Sequence, residues 1–171
     1  MSTVSIRDAR ASADRRWIEG SYREFLADLA PQATGLYPAL NEFGHSESDQ
    51  VMRWVADPDA TLLLIAQGHE PAGFALVRTT PRPASGRSAE FRMAEFFIAR
   101  PWRRRGVGRQ AVRLILDRFA GRWEINEDLR NTAAVAFWRR VVSAYTQGRY
   151  QERVSNGEVH QRFESGAQSR R

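Results

Sequence analysis

The feature that most constrains this chain is a junction. Residues 89–99, AEFRMAEFFIA, form an apolar, Phe-rich run of strand length. Residues 106–121, GVGRQAVRLILDRFAG, carry Val107, Ala111, Val112, Leu114, Ile115, Leu116 and Phe119 at helical spacing. Between the two lies RPWRRRGVGR, Arg100 to Arg109, with Gly106 and Gly108 at the mouth of the helix. A helix start leaves its first N–H groups unpaired and carries partial positive charge. A glycine-rich entry bares those groups, which suits a phosphate or pyrophosphate. The arginines of the run carry less information. All 26 basic residues of the chain are Arg and none is Lys, so Arg is the general cation here.

The rest of the chain alternates in the same manner. TVSIRDA (3–9) predicts a strand, and residues 12–30 a helix bearing Trp17, Ile18, Tyr22, Phe25, Leu26 and Leu29. QATGLYPALNEFGH predicts an aromatic-bearing loop, and residues 46–57 a second helix. ATLLLIAQ (60–67) and AGFALVRTT (72–80) predict a hairpin around GHEP, followed by the loop PRPASGRS. After the junction come a brief strand, RWEIN (122–126), and a helix, NTAAVAFWRRVV (131–142). SAYTQGRYQERV and EVHQRFE predict a closing hairpin with an Asn156–Gly157 turn. The order is β-α-α-β-β-β-α-β-α-β-β, an α/β chain with a mixed central sheet of about seven strands flanked by about four helices. A single domain over 1–165 with a frayed tail at 166–171 is expected.

Several classes of function fall away. Cys is absent, which removes disulfides, zinc-thiolate sites and a thiol nucleophile. The three His residues, His45, His69 and His160, lack ligand spacing, so no metal is expected. There is no run of about 18 apolar residues to span a membrane. MSTVSIRDAR has no apolar signal region, so a cytoplasmic protein is expected. The net charge of +6 favours anions, but no nucleic-acid motif accompanies it. A triphosphate P-loop needs a Lys that the chain lacks. A relaxed G-x-G-x-x-A match at Gly106, Gly108 and Ala111 comes mid-chain, without a partner acid about 20 residues on.

The remaining pattern, Arg103-Arg104-Arg105-Gly106-Val107-Gly108, fits [QR]-x-x-G-x-[GA]. It resembles the coenzyme A pyrophosphate loop of the GNAT-type N-acetyltransferase superfamily. AEFFIARPW resembles that family's fourth strand, and Asn131, Ala134, Phe137 and Trp138 resemble its N-x-x-A-x-x-F-[YW] helix. The resemblance covers nearly the whole chain. It implies the GNAT fold, acetyl-CoA as cosubstrate without a metal, and a primary amine of a small molecule or peptide as acceptor. The amine would attack directly in a ternary complex. The alternative it leaves is a catalytically weak acyl-CoA-binding or sensory protein of the same fold.

Residue roles follow from the resemblance. Backbone amides of Arg103, Arg104, Arg105, Gly106, Val107, Gly108 and Arg109 would hold the pyrophosphate. The strand backbone at Phe97, Ile98 and Ala99 would pair with the pantetheine, and an N–H near Ile98 would polarise the thioester carbonyl. Asn131 would bond the pantetheine region, with Phe137 and Trp138 packing beside it. Glu95, which interrupts an apolar run, is the candidate base, with Glu90 nearer the start of the strand as the alternative. Trp138 stands where many relatives carry the Tyr that protonates the leaving thiolate. Tyr145, seven residues on, is the substitute candidate, with water as the alternative. The acceptor would lie near Trp17, Tyr22, Tyr37, Phe43 and His45. A homodimer is left open.

Overall fold

Five consecutive buried residues, Leu62 to Ala66, mark a strand covered on both faces, and Ala72 to Val77 repeat the pattern next to it. These are interior strands of the sheet in the computed structural model, which describes residues 2–29, 47–80 and 89–166. The elements run β1 (Val4–Asp8), α1 (Ser12–Leu29), α2 (Glu47–Ala56), β2 (Ala60–Gln67), β3 (Glu70–Thr79), β4 (Phe91–Ile98). A 3-10 turn at Arg100–Trp102 leads into α3 (Val107–Arg118), β5 (Arg122–Asp128), α4 (Thr132–Thr146), β6 (Gln151–Ser155) and β7 (Glu158–Glu164). The seven strands form one mixed sheet in the order β1-β2-β3-β4-β5-β7-β6. The element order and the mixed sheet agree with the sequence reading.

Two apolar layers sandwich the sheet. On one face Ile18, Phe25, Val51 and Trp54 of α1 and α2 pack on Leu62, Leu64, Phe74, Leu76 and Phe97. On the other, Val107, Ala111, Val112 and Ile115 of α3 and Trp138, Val141 and Val142 of α4 pack on Leu63, Ile65, Ala75, Val77, Trp123 and Ile125. Burial of these side chains, about 1.5–3 kcal/mol for each large one, is what orients the helices.

One boundary differs from the sequence reading. SAYTQGRY does not enter the closing hairpin: α4 continues to Thr146 and β6 begins at Gln151. Buried Val141, Val142 and Thr146 keep the helical spacing, and Thr146 Oγ1 donates to Val142 O at 2.8 Å. The helix stops where Gln147 (φ 54°) and Gly148 (φ 78°) turn left-handed. The hairpin turn itself is as expected, with Asn156 at φ 52° and Gly157 at φ 77°.

Candidate active site

β4 and β5 are parallel neighbours for two pairs only, Phe91 with Trp123 and Arg92 with Glu124. Beyond them the strands separate, while β4 stays paired with β3 up to Ile98 with Gly73. The wedge between β4 and β5 opens into a cleft of about 850 Å³, with Met93 and Ile125 where the strands part. One edge of β4 therefore lacks a strand partner along most of its length. Ala99 N–H donates to Ala72 O, on the β3 side. Antiparallel alternation then aims Phe97 and Glu95 backbone groups at β3, and the N–H groups of Phe96 and Ile98 into the wedge.

A β-bulge decides where Glu95 goes. Leu76 pairs with Glu95 but Val77 pairs with Met93, so Ala94 is an extra residue. Without it Glu95 would share a face with Met93 among the α3 and α4 side chains. The bulge moves Glu95 to the α1 and α2 face, in line with Phe97 and Ala99. Burial pushes its carboxyl up to about 7; Arg78 opposes that rise and Glu127 adds to it.

Glu127, which the sequence reading left outside its short strand, lines the opposite lip. It follows Trp123 and Ile125 on the α3 and α4 face of β5. Burial pushes it up to about 7; the Asp128 N–H opposes, the Asp128 charge adds, the Asn131 side chain opposes and Glu158 adds. Asn131 is the N-cap of α4: its Oδ1 accepts from Ala134 N–H at 3.2 Å, and its Nδ2 donates to Glu127 Oε1 at 3.4 Å. Asn131 thus lines the cleft while tying the helix start to Glu127.

At the other end of the cleft stands the mouth of α3. Its first hydrogen bond runs from Gln110 N–H to Gly106 O, and no side chain caps it. The N–H groups of Val107, Gly108 and Arg109 therefore have no partner within the helix. Gly106 holds φ 77° and Arg104 φ 61°, both left-handed. Gly108 serves packing: a Cβ there would meet Phe137 Cε2 at 3.3 Å and Ile98 Cγ1 at 3.5 Å.

The arginines divide. Arg103 is structural: its Nε donates to Ile98 O at 2.7 Å, its Nη2 pairs with Asp28, and it lies 5.5 Å from the Phe97 ring centroid. Arg100 N–H donates to Glu24 Oε1 at 3.2 Å, and its guanidinium reaches Glu24 and Asp28. These contacts lash the loop to α1. Arg104 and Arg109 line the cleft from exposed positions, whereas Arg105 sits 5.8 Å from the Trp102 ring centroid.

Other expected site residues lie elsewhere. Tyr145 does not line the cleft; its hydroxyl donates to Asp117 Oδ1 at 2.7 Å and accepts from Gly166 N–H at 3.3 Å, and its pKa is pushed up to about 12, chiefly by burial. Trp17 and Tyr22 pack with α1 and α2, Tyr22 at 5.4 Å from Trp54 between ring centroids. Val107 is core, and Ala99 faces β3. Phe137 and Trp138 do line the cleft, in a three-ring cluster with Phe96 at 5.8 and 5.3 Å. Tyr37, Phe43 and His45 fall outside the described residues. Sequence reasoning missed Phe25, Asp28, Asn126, Glu127 and Arg140, all of which line the cleft.

The profile of the acetyltransferase (GNAT) family matches residues 22–142, well over half of the chain. The chain belongs to that family. Solved GNAT-type structures share its fold at low identity. An acetyltransferase from Thermus thermophilus is 16% identical with a TM-score of 0.67, covering 96% of this chain and 99% of that one. PaiA N-acetyltransferase from Thermoplasma acidophilum, solved with coenzyme A, is 10% identical with a TM-score of 0.64, over 95% of this chain and 99% of that one. Spermidine N-acetyltransferase from Vibrio cholerae, solved with CoA and spermine, is 14% identical with a TM-score of 0.64, over 95% of each chain. No curated protein matches. Among the described residues no group of three or more His, Asp or Glu could hold a metal ion, and no helix is long and apolar enough to cross a membrane.

Proposed function

We propose that this GNAT chain transfers an acetyl group from acetyl-CoA to a primary amine by direct attack in a ternary complex. The observation that carries this reading is the split between β4 and β5. It joins unpaired α3 N–H groups at one end to a raised-pKa carboxyl at the other, along an open strand edge. The N–H groups of Val107, Gly108 and Arg109 suit a pyrophosphate. The Phe96 and Ile98 N–H groups offer a strand edge to an amide-bearing arm, and an inward N–H there polarises a thioester carbonyl. Glu95, ionised above about pH 7, removes a proton from the incoming ammonium, directly or through a water. The acceptor approaches from the α1 and α2 face, where Glu95 lies. A spermidine acetyltransferase among the structures of this fold is consistent with an amine acceptor.

One observation favours a second reading, an acyl-CoA-binding protein with little turnover: among the described residues lining the cleft there is no Tyr, Ser, Thr, Cys or His. Two measurements decide. Isothermal titration with CoA should show saturable binding, and its absence sinks both readings. Thiol release from acetyl-CoA across a panel of primary amines should rise above the amine-free rate for at least one member. Binding without any such rise leaves the second reading standing.

A further inference from the structure

The cleft has a proton acceptor for the amine but needs a donor for the departing thiolate. Tyr145 is turned toward Asp117, and the Trp138 indole is a very weak acid. The described residues lining the cleft narrow the choice. Its basic side chains are Arg103, Arg104, Arg109 and Arg140. Only Asp28, Glu95 and Glu127 remain as carboxyls. Asp28 is tied up with the Arg103 guanidinium. The two glutamates stand on opposite lips and, because of the Ala94 bulge, on opposite faces of the sheet. Glu95 faces α1 and α2, while Glu127 faces α4, alongside Asn131 and the Phe96, Phe137 and Trp138 rings.

We propose that Glu127 is the general acid of this site and delivers its proton to the sulfur that leaves the acetyl group. This rests on the acetyl-transfer reading above. The proton that Glu95 takes from the ammonium leaves to solvent, so the amine attacks neutral, and as its nitrogen bonds to the carbonyl carbon its surplus proton passes to the Glu95 carboxylate. The C–S bond breaks with its electron pair on sulfur, and the Glu127 carboxyl gives that sulfur its proton. The products are the acetamide and CoA thiol. Glu127 is then reprotonated from solvent or from Glu95 through water, restoring one proton across the pair.

The surroundings suit a carboxyl that keeps its proton near neutrality. Across the cleft from Glu127 stands Glu95 on β4, next to Glu127 on its own strand is Asp128, and on β7 is Glu158, all acidic. From α4 it meets the neutral Asn131 amide, and Arg140 lies farther along the cleft wall. Burial pushes Glu127 up to about 7, with the Asp128 and Glu158 charges adding to the rise and the Asp128 N–H and Asn131 side chain opposing it.

The test compares Glu127→Gln and Glu127→Asp with the unaltered protein, using acetyl-CoA and the best amine of the panel. Gln preserves the contact to Asn131 but has no proton to give. It should lower kcat about 100-fold with CoA affinity within about twofold. It should also abolish the fall in rate above about pH 7. Asp should recover part of kcat and restore that fall. A Gln variant that keeps the high-pH fall, or loses CoA affinity in step with kcat, overturns the proposal and leaves Glu127 a support for Asn131. An unaltered protein that turns over no amine overturns the acetyl-transfer reading itself.

Discussion

At the α3 end of the cleft the polar groups are those of a helix mouth, where the N–H groups of Val107, Gly108 and Arg109 have no partner within the helix. At the β4–β5 end they are two side-chain carboxyls, Glu95 and Glu127. The first end depends on conformation and on room for the ligand, and tolerates changes of side-chain charge. The second depends on protonation and on which face of a strand a residue occupies. A bulge, a single extra residue, sets that face. The same cleft should therefore fail in two distinct ways: loss of binding at one end, loss of turnover at the other.

The largest effect is expected at the carboxyl end. Glu95→Gln should lower kcat about 1,000-fold, within the usual range for a lost general base, with CoA affinity changed less than about twofold. Steady-state kinetics beside calorimetry read the two separately. A parallel loss of CoA affinity would erase the distinction between the ends.

Gly106→Asp should weaken CoA binding about 100-fold. Its φ of 77° is costly for a residue with a Cβ, and the carboxylate would sit beside the N–H groups proposed to hold the phosphate. Calorimetry checks it, with thermal melting to confirm the fold. Gly108 should be sensitive for another reason, since a Cβ there pushes on Phe137 and Ile98.

A third effect is on stability. Glu95 is held at about 7 in the folded chain, against an ordinary 4.5. Below about pH 4.5 it is protonated in both states and contributes no difference. Between about 4.5 and 7 the folded chain keeps a proton that the unfolded chain loses, so stability falls as pH rises. Glu95→Gln should remove that loss, raising Tm by roughly 5 °C at pH 8 and hardly at all at pH 4. Melting curves at both pH values test it; an equal shift at both would mean that packing, not titration, is responsible.

These two ends were unequally legible in the sequence. The α3 mouth was visible because glycine spacing and helical period are local signals. The role of Asn131 as helix cap was half visible, as the residue but not its bond to Glu127. The Ala94 bulge was not visible, since FRMAEFFI carries no Gly or Pro to announce it. Glu127 was lost with the end of β5, read as stopping at Asn126. Its parity with Trp123 and Ile125, a carboxyl on the apolar side of a strand, was the signal available. Trp17 and Tyr22, expected near the acceptor, pack with α1 and α2, and in a sequence aromatic residues on a helix look alike whether they meet a ligand or Trp54.

The smallest effect should come from the residues that look most conspicuous. Arg104→Gln removes a cation from the cleft wall, yet Arg104 is exposed and makes no ion pair among the described residues that would hold the loop. An exposed charge near a phosphate is screened by salt, so CoA affinity should fall only about threefold, and less at high ionic strength. Gln leaves the left-handed φ of 61° as strained as it was, so the backbone cradle is unchanged. Arg103 is the contrasting control, because it is bonded to Ile98 O and paired with Asp28. Arg103→Gln should cost more, about tenfold, by loosening the loop from α1 and β4. Calorimetry at low and high salt separates the two: the Arg104 loss shrinks with salt and the Arg103 loss persists. If Arg104→Gln proved costlier than Gly106→Asp, side-chain charge and not the backbone would be holding the pyrophosphate.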